Sequence, residues 1–423
     1  MRILVLNSGS SSIKFKILEL STQQLERVHT NNIRSLVSGE VKGIGGLSSL
    51  ELRTKECAPC ILECFLSNHD EALQWIFENL GDLAPGTPSH ELYGLLASVE
   101  AVGLRVVHGA DVFPAAVVMD DAVVGEIKRL SELSPLHTPG LLAALRLAGS
   151  DLRPKVPIVA VFDTAFHQGL PPRARTYAIP QELAARHGIR RFGFHGIAHA
   201  SVLEQYLAHT GRPPEGVRVI SLHLGSGCSV AAISSGKSID TSMGFTPLEG
   251  LVMGTRCGDL DPAIVGYLAQ CEGVDEGEVV RWLNERSGLL GLSNRSSDMR
   301  TVLRAADQER DPQGMLAIDV FCHRAKKYIG AYLAALGGAD AVLFSGGIGE
   351  NAPEIRTRIS DGMEWCGLIL DPARNESASG RPLAKPVQIS TDHAGLSAFV
   401  VPAEEENWIA QETMRCLARV PNH

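Results

Sequence analysis

Three segments place glycine and small polar residues directly after apolar runs: Asn7-Ser8-Gly9-Ser10-Ser11-Ser12, Gly225-Ser226-Gly227 and Gly346-Gly347-Ile348-Gly349-Glu350-Asn351. Glycine lets a backbone approach a ligand closely. Successive N–H groups then form a concave nest for an anion, and a following helix adds the partial positive charge of its N-terminus. A single turn of this kind usually only reverses the chain; three of them after strand-like runs point to phosphate. None has the G-x-x-x-x-G-K-[ST] spacing of a Walker loop. No G-x-G-x-x-G opens a strand–helix–strand unit, which argues against a dinucleotide site.

Cations come next. Arg105 lies inside GLRVVHG, Arg256 inside MGTRCGD and His195 inside FGFHG, all in apolar or glycine-rich surroundings. Each has a structural reading, since a buried arginine can simply pair with a carboxylate and a lone histidine can be a satisfied core residue. Together they are the set that phosphoryl transfer needs, because the moving group spreads negative charge over three oxygens. Asp163 ends the apolar run IVAVF, where a carboxylate at a strand tip is expected, and Glu405 follows LSAFVVP. With Asn7 they supply hard oxygen atoms suited to Mg²⁺, directly or through its waters. Glu404-Glu405-Glu406 also reads as the acidic first turn of a terminal helix.

The elements that must position these groups alternate between strand-like and helix-like, an α/β pattern. Residues 2–8 and 13–20 flank the first small-residue turn as a hairpin. Residues 69–80 and 91–101 read as helices, 103–107 and 156–162 as buried strands. A second series starts near residue 218 with strand, tight turn and strand, and KSIDTS adds a third. Residues 315–336 form a long helix, and residues 339–359 read as strand, glycine-rich turn and helix. Each half opens with strand, small-residue turn and strand, a hint of internal duplication. Residues 371–386 look most loop-like.

The chain has 423 residues, enough for two or three domains. Its 39 basic and 48 acidic residues leave a net charge of −9, which argues against a nucleic-acid surface. No apolar run reaches the ~18 residues that span a bilayer, and the opening MRILVL reads as a buried strand, so a cytoplasmic protein is expected. Cysteine is present nine times, an odd number that fits reduced thiols. Cys57, Cys60 and Cys64, with His69 nearby, lack a second closely spaced pair. They read better as small residues of an irregular segment than as a metal site.

The motifs ILVLNSGSSSIKF, RVVHG, SPLHTP, VFDTAFHQGLPP, FGFHGIAH, HLGSGCS, GKSIDTSMGFTPLEGLVMGTRCGDLDPAI, SSDMR and SGGIGEN occur in this order. In that order they resemble the acetokinase family of acetate and propionate kinases, from about residue 3 to residue 410. The stretch 237–264 is the most specific; residues 20–65 and 371–390 match poorly. The resemblance implies two actin-like, sugar-kinase-like (ribonuclease H-like) domains with a central cleft that holds the active site. The N-terminal domain would span 1–165, completed by a C-terminal helix at 402–423, and the nucleotide-binding domain 166–401. It also implies a homodimer, Mg²⁺ (with Mn²⁺ as an alternative) and ATP or ADP. The reaction would transfer the γ-phosphoryl of ATP reversibly to acetate, giving acetyl phosphate and ADP.

Carried over by motif, Asn7 and Glu405 would serve the metal and Lys14 would lie near the phosphates. Arg105 and Arg256 would bind the carboxylate and the transferring phosphoryl. His195 would hydrogen-bond that phosphoryl, His137 would help shape the pocket, and Asp163 would be the catalytic acidic residue. Val107, Leu136, Phe194 and Pro247 would surround the substrate methyl. The nucleotide would meet His223, Leu224, Gly225, Ser226 and Gly227, then Asp298, Met299 and Arg300, then Gly347, Ile348, Gly349, Glu350 and Asn351. A carboxylate nucleophile is already ionised at neutral pH, with a pKa near ~4–5. Asp163 is therefore expected to position the metal or its waters, not to abstract a proton.

The sequence departs from the family pattern at three places. Ser226 stands where the family usually has Asn, Ala403-Glu404 stands for Thr-Asn, and Asn294-Arg295 stands for small residues. The second change leaves Glu404 and Glu406 as competitors of Glu405. Propionate kinase is the near alternative, because one methylene is worth only ~1–3 kcal/mol in an apolar pocket. A non-catalytic nucleotide sensor of the same fold is disfavoured by the retained Arg105, Arg256, His195 and Asp163. A sugar kinase would need a base for its hydroxyl nucleophile, and the 237–264 match argues against it.

Overall fold

The computed structural model describes residues 1–9, 12–21, 33–54, 60–82, 95–130, 143, 156–380 and 382–419. The chain divides into two units, Met1–Ala165 with Glu404–His423, and Phe166–Ala403.

In the first unit the apolar opening run becomes β1 (Arg2–Ser8), with Ile3 to Leu6 essentially inaccessible to solvent. It pairs antiparallel with β2 (Ser12–Leu20), which puts Asn7 opposite Lys14. The sheet continues antiparallel through β3 (Ile33–Lys42), β4 (Gly46–Thr54) and β5 (Cys60–Leu66). On the other side of β1 lie β6 (Ala101–Val106) and β8 (Ile158–Phe162), both parallel, with β7 (Val117–Val118) antiparallel at the edge. The order is β5-β4-β3-β2-β1-β6-β8-β7. The terminal helix Glu405–Arg419 packs on β1, β6 and β8. Its close seat explains Gly103: a Cβ there would stand 2.5 Å from Thr413 Oγ1 and 2.9 Å from Ile409 Cγ2.

In the second unit β9 (Arg218–Leu224), β10 (Cys228–Ser234) and β11 (Lys237–Thr241) form an antiparallel series. The strands β12 (Ala341–Ser345) and β14 (Ser397–Val400) lie parallel to β9, and β13 (Val387–Gln388) pairs antiparallel with β14. The order is β11-β10-β9-β12-β14-β13. Helix Gly196–Thr210 lays Val202, Leu203 and Tyr206 on Val219, Ile233, Leu343 and Phe399 of this sheet. The long helix Pro312–Leu336 packs against β9 and β10. The series β3-β2-β1-β6-β8 and β11-β10-β9-β12-β14 therefore have the same order and the same strand senses, so the duplication hinted at in the sequence is present in the topology. This doubled layout is the actin-like α/β fold.

Local expectations fail at four places. Residues 91–101 are not one helix: Leu95–Ala97 is helical, but Ala101 already starts β6, whose buried backbone pairs with β1 and β8. The glycine-rich turn at 346 is itself helical, Gly346–Asn351. The loop-like stretch after 371 contains helix Pro372–Ser377, capped by Asp371, whose carboxylate accepts from the N–H groups of Ala373 and Arg374. Cys60 and Cys64 lie on β5, not in an irregular segment. Four residues of strand separate them by about 13 Å, too far to chelate one ion. Cys57 is outside the described residues.

Candidate active site

In the first unit β1, β6 and β8 deliver three polar side chains from their C-terminal ends, and the terminal helix adds its first turn. Arg105 donates from Nε and Nη2 to Asp163 Oδ2, at 3.1 and 2.5 Å, and from Nη1 to Asn7 Oδ1 at 2.9 Å. Asn7 Nδ2 donates to Glu405 Oε2 at 2.9 Å and to Glu406 Oε1 at 3.1 Å. Lys16 Nζ lies 3.2 Å from Glu404 Oε2 and 3.2 Å from Glu406 Oε2. Asp163 and Asn7 are 1% and 4% exposed, so these charges are compensated by one another and not by bulk water. Burial opposes the charge of Arg105, but Asp163 and Glu405 more than offset it and hold the guanidinium firmly protonated. Partial desolvation opposes the charge of Lys14, which is still exposed on β2, and Glu406 and Glu405 outweigh it, raising its pKa above that of an ordinary lysine.

The cluster separates the three glutamates. Glu405 and Glu406 accept from Asn7, whereas Glu404 pairs with Lys16. The donors Glu405, Asp163 and Asn7 are all hard oxygens, which fits Mg²⁺. Asn7 Oδ1 is taken by Arg105 and its Nδ2 braces both glutamates, so Asn7 acts chiefly as a bracket for Glu405. Among the described residues no three His, Cys, Asp or Glu side chains form a cage. A magnesium ion here would accordingly keep several waters, as this ion prefers.

The second unit gathers a different set. His195 stands at the N-terminal boundary of helix Gly196–Thr210 in the left-handed backbone region, φ 57°, which is uncommon for a side chain with a Cβ. Its ring and Arg256 both lean over the β9–β10 turn: a Cβ on Gly227 would stand 3.2 Å from His195 Nε2 and 3.1 Å from Arg256 Nη2. Arg256 is aimed by its Nη1, which donates to the Pro247 carbonyl at 2.7 Å. The loop carrying Pro247 is braced in turn. Arg191 donates to the carbonyls of Thr241, Ser242 and Met243, each at 3.1 Å, and to Glu249. Tyr177 donates to Glu249 and accepts from the Phe245 N–H.

Behind the turn, burial pushes His167 down to about 4 against the pull of the Phe194 carbonyl, and it holds His199 well below the usual histidine range. Burial pushes the Cys228 thiol up to about 12, keeping it protonated to donate to the Gly225 carbonyl at 3.3 Å.

Apart from Lys14, which lies in the first unit, the nucleotide residues expected from the sequence belong to this second unit, and its glycine segments meet. Gly346 packs so tightly on the Leu224 carbonyl that a Cβ would stand 2.6 Å from it, and Gly225 faces the Gly347 N–H. Gly254 N–H donates to the Ser226 carbonyl at 2.9 Å, while the space beside Gly254 is filled by Ser297, next to Asp298. Asp298 caps helix Met299–Gln308 and pairs with the exposed Arg300, whose hydrogen bonds pull its carboxyl below the ordinary aspartate range. Met299 is buried core. Glu350 receives the N–H groups of Gly346 and Ala403, each at 3.0 Å, and Asn351 donates to the Gly347 carbonyl.

Of the expected methyl-pocket residues, Val107 belongs to the first unit and Phe194 and Pro247 to the second; Leu136 and His137 lie outside the described residues. Sequence reasoning missed Lys16, Tyr177, Arg191, Glu249, His199 and Ser229. A partial signal existed for two of them: His199 follows His195 by one helical turn, and Ser229 is a polar residue inside an apolar strand.

The sequence profile of the acetokinase family matches residues 2–411. The chain belongs to that family. Among curated relatives, "Acetate kinase" of Solibacter usitatus is 46% identical over 432 residues, covering 100% of both chains. "Acetate kinase" of Chloroherpeton thalassium is 43% identical, covering 99% of this chain and 100% of the relative. Among solved structures, Porphyromonas gingivalis acetate kinase superposes with TM-score 0.84 at 35% identity, covering 98% of this chain and 99% of that one. A propionate kinase from Francisella tularensis also reaches TM-score 0.84 and 35% identity, over 97% and 98% of the two chains. The acetokinase profile thus spans both clusters described above. The Ser226 departure falls on an exposed side chain whose carbonyl is already used by Gly254, so it changes the rim of the turn and not its frame.

Proposed function

We propose that this acetokinase is an acetate kinase, catalysing reversible transfer of the ATP γ-phosphoryl to acetate. The observation that carries the reading is end-to-end similarity to curated relatives named acetate kinase, at identities up to 46%. The retained Arg105–Asp163 pair and the convergence of His195 with Arg256 support it. An acetate oxygen forms the new bond to the γ-phosphorus, and the bond from that phosphorus to the β–γ bridging oxygen breaks, leaving ADP. Acetate is ionised at neutral pH, so no residue need remove a proton.

Arg256 and His195 meet the charge that builds on the phosphoryl oxygens. Arg105 holds the acetate carboxylate and is itself aimed by Asp163 and Asn7. Asn7 and Glu405 would hold the hydrated Mg²⁺, with Mn²⁺ as a substitute, and Lys14 would face the phosphates. The ion, when bound, neutralises charge on the β- and γ-phosphates. The turn at 223–227 and residues 347–351 of the short helix, with 298–300 beside them, bind the nucleotide. His137 shapes the substrate pocket, and Val107, Leu136, Phe194 and Pro247 contact the acyl methyl. A homodimer in the cytoplasm completes the proposal. No helix among the described residues is long and apolar enough to cross a membrane.

The equal likeness to a propionate kinase structure keeps one second reading, a preference for the longer acid. Purified protein with ATP and Mg²⁺ is assayed against acetate, propionate, butyrate and glycerol, trapping acyl phosphate with hydroxylamine. Hydroxamate with a higher kcat/KM for acetate is expected. A higher value for propionate selects the second reading, and no hydroxamate from any acid despite ATP binding overturns both.

A further inference from the structure

We infer that a one-way chain of hydrogen bonds, from Ser221 through His199 and Ser229 to His195, fixes the proton of His195 on Nε2. The chain is read from partners. Ser221 Oγ lies 2.9 Å from His199 Nδ1, His199 Nε2 lies 2.8 Å from Ser229 Oγ, and Ser229 Oγ lies 2.9 Å from His195 Nδ1. Ser221, Ser229 and His199 are each 0% exposed. Among the described residues the Ser221 hydroxyl has no partner but His199. If His199 donated to it, the buried O–H of Ser221 would be left without an acceptor, a costly arrangement. Ser221 therefore donates to Nδ1 of His199. A neutral His199 then carries its proton on Nε2 and donates to Ser229. The single hydroxyl proton of Ser229 is left for His195 Nδ1, which must be unprotonated to accept it. The proton of His195 is thereby placed on Nε2, the atom that leans over Gly227 beside Arg256 Nη2.

A doubly protonated His195 is disfavoured by the same chain, because an N–H on Nδ1 would either leave the buried Ser229 O–H without an acceptor or reverse the chain and strand Ser221. Of the charged and titratable groups that face His195, the guanidinium acts in the same sense. Arg256 is cationic, and the His223 ring lies 4.8 Å away, centre to centre. His199 stands behind Ser229 with His167 5.9 Å beyond it, both held neutral by burial. Ser221, His199 and Ser229 are thus positioning residues: they make His195 a fixed neutral donor. That the donor serves a phosphoryl group rests on the acetate kinase reading; the proton's location does not.

The test is a long-range ¹H–¹⁵N correlation spectrum of the full chain labelled at histidine, at neutral pH, with His195 assigned by its loss in His195→Gln. A protonated Nε2 and a bare Nδ1 are expected, and a proton on Nδ1 or on both nitrogens overturns the inference. Ser221→Ala removes the start of the chain about two side chains away from the site. It should give His195 a mixture of tautomers and lower kcat on the order of tenfold, with acetate KM changed by less than about twofold. His195→Gln, which keeps an N–H donor, should retain more kcat than His195→Ala. An unchanged His195 spectrum in Ser221→Ala refutes the relay. Wild type with the expected tautomer but no hydroxamate would refute the kinase reading and leave the relay standing.

Discussion

The strands β3-β2-β1-β6-β8 and β11-β10-β9-β12-β14 run in the same order and sense, yet their C-terminal ends carry different chemistry. In the first unit the strand tips hold a dense ionic cluster in which Arg105, Asn7, Asp163 and two glutamates compensate one another. In the second, the corresponding turn is built of glycine and serine and backed by neutral histidines, with Arg256 the cation leaning on it. The shared order of parallel and antiparallel strands sets where side chains emerge, not what they do. The first unit offers hard oxygens and a guanidinium, suited to a small carboxylate and a hydrated ion. The second offers close backbone and fixed donors, suited to a nucleotide phosphate chain.

The widest separation between the units is expected from Arg256→Ala, the loss of the cation over Gly227. It should lower the hydroxamate kcat about 10³-fold, with ADP affinity reduced far less; equal losses in both would merge the two roles. Next comes Asp163→Asn in the other cluster. It frees Arg105 to turn and should lower kcat on the order of 10²-fold, with a urea midpoint confirming that the chain still folds. Normal activity at saturating Mg²⁺ would remove Asp163 from both positioning and chemistry.

A third contrast is acid stability. His167 titrates at about 4 in the folded chain, below its ordinary value of 6.5. The unfolded chain therefore takes up a proton first as pH falls. The stabilisation from neutral His167 is complete above pH 6.5, declines between 6.5 and 4, and is flat below. It amounts to on the order of 3 kcal/mol. Protection factors of β9 and β10, taken relative to the intrinsic exchange rate at each pH, should fall over that window in wild type and less so in His167→Gln. The smallest effect is expected from Ser226→Asn, which adds an amide at the exposed rim and should tighten ADP by roughly 1 kcal/mol, about fivefold.

Strand tips were the legible part of the site. Arg105, Asp163 and Asn7 stand out in sequence because a charged or amide side chain interrupts or ends an apolar run, and the structure joins all three directly. Glu405 was ambiguous among three adjacent glutamates, since only the partners across 398 residues of chain separate them. The relay of Ser221, His199 and Ser229 was hidden for the same reason: it needs two antiparallel strands in register and a helix laid on them. Helix Gly346–Asn351 was missed because glycine signals a turn locally, while here tight packing on Leu224 is what requires it. The start of β6 was lost to a helical reading of 91–101, since a short apolar run has no period of its own and only pairing with β1 decides it.

In the proposed reaction Arg105 of the first unit holds the substrate carboxylate, while the glycine segments of the second unit bind the nucleotide. Calorimetric titration of ADP into Arg105→Gln, beside its hydroxamate rate, tests this most directly. The predicted result is an ADP affinity within about twofold of wild type, with kcat/KM for acetate lowered by roughly 10²-fold or more. A fall in ADP affinity that matches the fall in kcat/KM would contradict the division.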